Sequence, residues 1–286
     1  MTIIPIMKKT LAAALLLTAV SVNCLADNRD TYKTITYEVE QPGATSQVSI
    51  DFPVDVKEPV RSAVINYIFE ELRAYKGDAL PNTPTPKNCT EAVVNTIISQ
   101  FAETLASWYG SEQQEYAASL AEEGETYDVP WYVNISINKS AETPQYVSYT
   151  GYYGDYQGGA HDQRYSDAVT IRKSDGKRIK DIFRENIDEQ IQPLLWKYLL
   201  ADYESEEDKQ EYRNEIMTYL GYQGTNIVPL PDASYLAPDG VHLTYQYYEI
   251  CPWAMGAPEP VIPIREALPY LTKEAAQLVK ATKKRR

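Results

Sequence analysis

The chain has little of what most enzymes use for chemistry. It contains two histidines, His161 and His242, and three cysteines in 286 residues. A catalytic zinc site usually needs three protein ligands, often histidines at helical spacing, and neither HExxH nor CxxC occurs. The G-x-S-x-G turn of serine hydrolases, the P-loop and the G-x-G-x-x-G nucleotide loop are also missing. We therefore expect no metal, no cofactor and no catalytic residues of these classes.

An excess of positive charge is also missing. The sequence has 27 Lys and Arg against 40 Asp and Glu, a formal net charge of −13. This balance excludes nucleic acid as an expected partner, because an acidic surface repels phosphate backbones, and it favours attraction to basic proteins. The same charge can serve solubility alone, and composition does not separate the two interpretations.

One long apolar run is present, from Leu11 to Val22, and it is too short to span a bilayer comfortably. Lys8 and Lys9 precede it, which is typical of a secretory signal peptide. We assign residues 1–26 to the signal peptide, with cleavage after Ala26, and expect a periplasmic or secreted protein without a transmembrane span in the mature chain. The alternative is a mature N-terminus lipidated at Cys24 and anchored to the membrane.

Removal of the signal peptide would leave two cysteines, Cys89 and Cys251. An even pair in an oxidising compartment predicts a disulfide bond. Such a bond would tie the first half of the mature chain to its last quarter.

The hydrophobic pattern predicts an α+β fold of antiparallel sheets with packed helices. The length suffices for one large domain or two modest ones. Alternating apolar residues predict strands near residues 48–52, 131–137, 146–153, 167–172, 241–250 and 261–264. Apolar residues at three- and four-residue spacing predict helices at residues 58–75, from 90 to about 110 or 123, at 187–199 and 212–220, and at the C-terminus.

Acidic residues are numerous, among them Asp155, Asp162, Asp167 and Glu249. Two carboxyl groups about 5–9 Å apart, one with a shifted pKa, can hydrolyse glycosides. Sequence spacing does not reveal such a pair, so a hydrolase stays an alternative interpretation.

The segment YYGDYQGGAHDQRY, residues 152–165, combines four of the 24 tyrosines with His161. Gly158 and Gly159 can bring the backbone close to a ligand, or they can simply form a corner at which His161 bonds a neighbouring strand. Tyrosine packs well in sheets, but alternate strand positions face opposite ways, so some of these rings must lie outside the core. Exposed tyrosines offer contact area for a protein or a stacking platform for sugar.

Three motifs together resemble a known family. They are the corner at residues 158–161, the hairpin Ser174-Asp175-Gly176-Lys177 that leads to residues 181–183, and YEICPWAMG at residues 248–256 followed by the apolar residues 261–264. In this order they resemble the RsiV-type C-terminal domain of unknown function. Residues 34–153 resemble the companion N-terminal domain seen in RsiV and in the peptidoglycan deacetylase PdaC. The resemblance therefore implies two adjacent modules, residues 27–157 and residues 158–286. Cys251, Trp253 and Asp162 depart from the usual form of the family's motifs.

The resemblance implies a binding role. The outer domain of RsiV binds lysozyme, whereas the deacetylase activity of PdaC belongs to a separate, metal-binding domain. We therefore expect a cell-envelope module that binds a basic protein such as lysozyme, or peptidoglycan fragments; the alternative is a peptidoglycan-acting hydrolase that uses carboxylates. The expected contact residues are Tyr153, Tyr156, Gly158, Gly159, His161, Tyr248, Glu249 and Trp253, and the segments 158–161 and 248–256 should lie close together.

Overall fold

The computed structural model describes residues 30–283, with side chains to residue 280. Outside the described residues lie the predicted signal peptide, which includes Cys24, and the last three residues of the chain, 284–286. No helix within the described range is long and apolar enough to cross a membrane.

Nine strands and six helices follow one another along this range. The strands are β1 (Thr31–Gln41), β2 (Ala44–Asp55), β3 (Trp131–Glu142), β4 (Tyr146–Tyr156), β5 (Gln163–Arg172), β6 (Arg178–Ile179), β7 (Ala233–Leu236), β8 (Gly240–Thr244) and β9 (Val261–Pro263). The helices are α1 (Val60–Lys76), α2 (Glu91–Glu122), α3 (Asp188–Leu199), α4 (Glu206–Tyr222), α5 (Ile264–Ala267) and α6 (Lys273–Lys283).

The first six strands form one sheet in chain order. Every neighbouring pair is antiparallel except β2 and β3, which run parallel with Ala44 opposite Trp131. Parallel neighbours need a crossover, and here helices α1 and α2 return the chain to the same end of the sheet. The expected antiparallel sheet therefore contains one parallel pair.

Helices α1 and α2 cover one face of this sheet. Their apolar stripes, such as Val64, Ile68 and Leu72 of α1, are fully buried against alternate residues of β2 and β3. Helix α2 begins where the Thr90 hydroxyl accepts from the backbone N–H of Val93 at 3.3 Å, which satisfies one free donor of its first turn. The first hydrophobic core lies between these helices and the sheet.

The opposite face carries the second sheet, β7-β8-β9, with helices α3 to α6 around a second core. The Ser148 hydroxyl donates to the carbonyl of Leu236 at 2.7 Å, and the Leu236 N–H donates to the Thr170 hydroxyl at 3.0 Å. These bonds place β7 on the back of β4 and β5. The six-stranded sheet is thus covered on its second face at β4 and β5.

The predicted boundary between residues 157 and 158 falls between β4 and β5, which are hydrogen-bonded neighbours. Residues assigned to the second module therefore complete the first sheet as far as Ile179. The division of the chain into two folding modules stays a prediction.

Two segments differ from the pattern-based expectation. Strand β1 lies in a segment for which the hydrophobic pattern predicts no strand, because an edge strand with one buried residue, Ile35, shows no clean alternation. The strand predicted for residues 241–250 ends at Thr244, and residues 245–250 turn away from the sheet. Tyr248 in this segment has a φ of +64°, which no β-strand accommodates.

The predicted disulfide is wrong. Cys89 and Cys251 are both free and fully buried, Cys89 in the first core and Cys251 in the second, on opposite faces of the six-stranded sheet. A disulfide needs Cα atoms within about 7 Å, and a sheet that separates the two cores prevents this approach.

Burial raises the pKa of both thiols to about 11, although Arg61 near Cys89 partly offsets it. We expect neither Cys89 nor Cys251 to react with a disulfide reagent such as DTNB at pH 7.5 in the folded protein, because a buried thiol has little thiolate and no access to the reagent. Both should react within minutes in 8 M urea without added reductant. Fast labelling of the folded protein, or no labelling after unfolding, would contradict this prediction.

Candidate functional site: an aromatic patch between the two sheets

The two segments singled out from the sequence meet in the structure. The His161 ring stacks on the Trp253 ring, with centroids 4.5 Å apart and an interplanar angle of 13°. His161 Nε2 lies 3.0 Å from the Tyr248 hydroxyl. The predicted proximity of residues 158–161 and 248–256 is therefore confirmed.

Hydrogen bonding defines the orientation of the His161 ring. Its Nδ1 lies 2.8 Å from the carbonyl oxygen of Asp162, which can only accept, so Nδ1 carries the proton. In the neutral ring Nε2 is then an acceptor for the Tyr248 hydroxyl. The ring is held from both sides and presents its face to Trp253.

The glycine corner shapes the loop before His161. Gly158 and Gly159 have φ angles of +87° and +97°, a conformation that costs other residues free energy. The Tyr156 hydroxyl donates to the Gly159 carbonyl at 3.1 Å and closes the loop on itself. The corner is thus a tight turn, and His161 at its end contacts Tyr248 and Trp253. A role of the two glycines in approaching a ligand stays a prediction.

The loop that carries Tyr248 is held from helix α4. The Tyr219 hydroxyl and the Gln223 amide donate to the Tyr248 carbonyl, at 2.9 and 3.3 Å. These bonds hold Tyr248 in its left-handed conformation, which costs a non-glycine residue of order 1–3 kcal/mol. Such strain is common at binding sites, where the surrounding structure maintains it.

Sequence reasoning missed Arg164. Its Nε donates to Asp162 Oδ2 at 2.8 Å and its Nη1 to the Tyr247 hydroxyl at 2.8 Å. The guanidinium also lies over the rings of Tyr247 and Trp253, at 5.3 and 5.8 Å from their centroids. The only signal in the sequence was that Arg164 follows His161, the last residue of the glycine corner, by three residues. We call His161, Arg164, Tyr247, Tyr248 and Trp253 the aromatic patch.

Asp162 holds Arg164 of the aromatic patch in place through its carboxylate. Its buried carboxylate accepts from Arg164 and, at 2.7 Å, from the Tyr132 hydroxyl. Burial opposes ionisation, but the hydrogen bonds from Tyr132 and Arg164 outweigh it and lower the pKa of Asp162 below its usual value. The carboxylate therefore stays charged at neutral pH and orients Arg164.

Three expected contact residues lie outside the aromatic patch. The Tyr156 ring stacks on Tyr132, with centroids 6.0 Å apart, and packs against the first core. Tyr153 is on the opposite face of the sheet, where its ring stacks on Tyr75 at 5.5 Å and its hydroxyl lies 3.1 Å from that of Tyr109. Glu249 accepts from the backbone N–H of Gln246 at 2.6 Å, and burial raises the pKa of its carboxyl. Neither Tyr153 nor Glu249 contacts the aromatic patch through its side chain, and Glu249 supports the turn instead.

The face covered by α1 and α2 holds a carboxyl pair, the buried Glu71 of α1 and the half-buried Asp167 of β5. Burial and the neighbouring Asp167 raise the pKa of Glu71 to about 7. A protonated Glu71 hydrogen-bonds to Asp167. Glycosidase carboxyls stand about 5–9.5 Å apart to admit sugar or water, so a pair in hydrogen-bond contact does not have this geometry.

Among the described side chains, no group of three or more His, Cys, Asp or Glu residues is arranged to hold a metal ion. The aromatic patch itself offers aromatic faces, one guanidinium and one imidazole.

Comparison with known proteins agrees on the fold. Residues 180–265 match the family described as "Protein of unknown function (DUF3298)". A DUF3298 family member from Bacteroides fragilis NCTC 9343 has a similar crystal structure, with a TM-score of 0.65 and 18% identity over 89% of this chain and 100% of that one. A DUF3298 family protein from Pseudomonas aeruginosa PAO1 gives a TM-score of 0.51 and 16% identity over 87% of this chain and 97% of the other. No curated protein matches the sequence.

These similarities confirm the mixed α+β fold. Residues 180–265 match the DUF3298 family model, and the finer resemblance to RsiV and PdaC stays a prediction.

Proposed function

For a chain that carries a domain of unknown function, we propose an exported cell-envelope module that binds a basic, lysozyme-like protein through the aromatic patch. One observation carries the proposal: His161 and Tyr248, which are 87 residues apart in the sequence, are hydrogen-bonded to each other in one surface. Export rests on the predicted signal peptide, and the partner class rests on the resemblance and on charge.

The composition of the patch suits a protein interface. Tyrosine, tryptophan and arginine are enriched in binding hot spots, and the two aromatic residues bury large areas at low cost in side-chain entropy. Trp253 is stacked by His161 and contacted by Tyr247 and Arg164, so its ring is already ordered before a partner arrives. Tyr248 keeps 49% of its surface exposed and is free to contact a partner.

Charge supports a basic partner. The chain carries a formal charge of −13, and opposite net charges steer association. A basic protein also avoids the repulsion that an acidic one would meet. Charge alone does not make a specific interface, so the contribution of the patch has to be separated from net attraction.

Titration calorimetry of the protein with a c-type lysozyme at 50 and 300 mM salt makes this separation. We expect a dissociation constant in the micromolar range or below that weakens by less than about tenfold across this range, because aromatic contacts are not screened by ions. Binding that disappears at 300 mM salt would indicate simple attraction between opposite charges. Peptidoglycan fragments would then be the next ligands to titrate.

The runner-up is a peptidoglycan-acting hydrolase. The observation in its favour is the pKa of about 7 for Glu71, the range of a general acid. Release of sugar or peptide from purified cell wall by the protein would support it. The contact between Glu71 and Asp167 favours a structural role for the pair instead.

A further inference from the structure

A groove runs beside the aromatic patch, between helix α4 and the turn at residues 252–255. Its cavity volume is about 870 Å³. Tyr219 lines the groove and also donates to the Tyr248 carbonyl, and Trp253 lies in the turn that forms the second wall. Groove and aromatic patch therefore form one continuous surface.

One wall of the groove is a row of carboxylates. Glu207, Glu211 and Glu215 recur every four residues on α4, all three are exposed, and all three line the cavity. We call them the glutamate ridge. Like charges at this spacing destabilise a helix, so the ridge opposes the folding of α4.

No described cation neutralises this ridge. The two cations of α4 are engaged elsewhere: Lys209 pairs with Glu206 at 2.7 Å, and Arg213 lies over the Trp196 ring at 4.6 Å. Within residues 30–280, none of the three ridge carboxylates forms a salt bridge.

The other wall is apolar. Pro252, Ala254 and Met255 face the ridge across the groove. Tyr222, at the end of α4, leaves 88% of its surface in solvent although it is a large aromatic residue. The groove therefore offers apolar contact and negative charge side by side.

From these walls we infer that the groove binds a lysine- or arginine-rich segment of a protein partner, with an apolar side chain packed on Met255. The inference rests on the proposed function for the basic character of the partner. It adds to the aromatic patch a second contact surface, which recognises positive charge. Residues four apart in a helix lie about 6 Å apart along its axis, so the partner presents its cations at this interval. Anionic ligands are excluded by repulsion, and a purely apolar segment would bury the carboxylates without partners.

The test compares two triple variants of equal charge. Glu207→Gln, Glu211→Gln and Glu215→Gln together remove the ridge, whereas Glu112→Gln, Glu115→Gln and Glu122→Gln remove three exposed carboxylates from α2. The probes are lysozyme and a 16-residue amidated peptide with lysine and leucine at helical spacing, titrated at 150 mM salt. We expect the ridge variant to bind the peptide about fivefold more weakly than the wild type, because it loses three exposed ion pairs, and the α2 variant to bind it within twofold of the wild type.

The outcomes separate the two proposals. Equal losses in both variants, or no peptide binding by the wild type, would overturn the groove while lysozyme binding could still support the aromatic patch. Peptide binding that depends on the ridge, in a protein that does not bind lysozyme, would support the groove and overturn lysozyme as the partner.

Discussion

We expect replacement of Trp253 by alanine to lower lysozyme affinity by about 30-fold or more, the loss typical of a binding hot spot. The ring is the centre of the aromatic patch: His161 stacks on it, Tyr247 lies 5.3 Å away and Arg164 lies over it. Truncation removes the shared contact of all three side chains. It therefore removes the order of the patch as well as one contact surface, and calorimetry at 150 mM salt measures the loss.

Trp108 provides the matched control. It is a tryptophan on α2 with 41% of its surface exposed, on the face of the sheet opposite the aromatic patch. We expect Trp108→Ala to bind lysozyme as the wild type does. If Trp108→Ala weakened binding and Trp253→Ala did not, the interface would lie on α2 and the proposed site would be wrong.

Partial unfolding of the loop could also weaken binding, so a milder substitution is needed. Trp253→Phe keeps an aromatic ring against His161 and should recover most of the affinity. Thermal unfolding of each variant shows whether the second core, which contains neighbouring Ile250 and Cys251, stays intact. A loss of affinity at unchanged melting temperature assigns the effect to the surface.

Elements with strong periodicity were predictable from the sequence. The stripe of Val64, Ile68 and Leu72 predicted α1, and the alternation of Val133, Ile135 and Ile137 predicted β3, because each pattern buries one continuous face. The positive φ of Gly176 in the hairpin between β5 and β6 agrees with the predicted turn. In these segments local preference and tertiary packing favour the same structure.

The segments that escaped prediction are those whose structure depends on distant partners. Residues 245–250 alternate like a strand, but hydrogen bonds from Tyr219 and Gln223 of α4 hold the Tyr248 carbonyl in a turn. The disulfide between Cys89 and Cys251 was predicted only because the mature chain has an even number of cysteines. The fold shows that the six-stranded sheet separates the two residues. Arg164 has no local motif, since its partners Asp162 and Tyr247 come together only in the folded chain.

Glu71 makes the stability of the protein depend on pH. Burial and Asp167 raise the pKa of Glu71 from its usual 4.5 to about 7, so the folded protein holds this proton more tightly than the unfolded chain does. Between these two pH values the folded state binds more protons, and stability falls as the pH rises. Above pH 7 the loss of stability is complete, because the carboxylates of Glu71 and Asp167 then repel each other in a partly buried site.

We therefore expect Glu71→Gln to lose less stability than the wild type between pH 5 and pH 8. The difference in the unfolding free energy should be about 1–2 kcal/mol, after allowance for screening by solvent, or a few degrees in melting temperature. Urea titrations at the two pH values measure it. All other titrating groups are common to both proteins, so the difference between the two curves isolates Glu71.

Two further variants identify the cause. Asp167→Asn removes the neighbouring charge and should flatten the pH dependence in part, because burial still acts on Glu71. Glu103→Gln, an exposed carboxyl on α2, should follow the wild type at both pH values. If Glu71→Gln paralleled the wild type as well, the carboxyl pair would not be the source of the pH dependence.

The same variants decide between structural and catalytic roles for the pair. A glutamine at residue 71 can still donate a hydrogen bond to Asp167 but cannot transfer a proton to a leaving group. A structural pair therefore predicts a Glu71→Gln protein that is more stable at pH 8 and binds lysozyme normally. If the wild type released sugar from cell wall and Glu71→Gln did not, the pair would be catalytic. The stability that the pair costs above pH 7 would then be retained because catalysis requires the shifted pKa of Glu71.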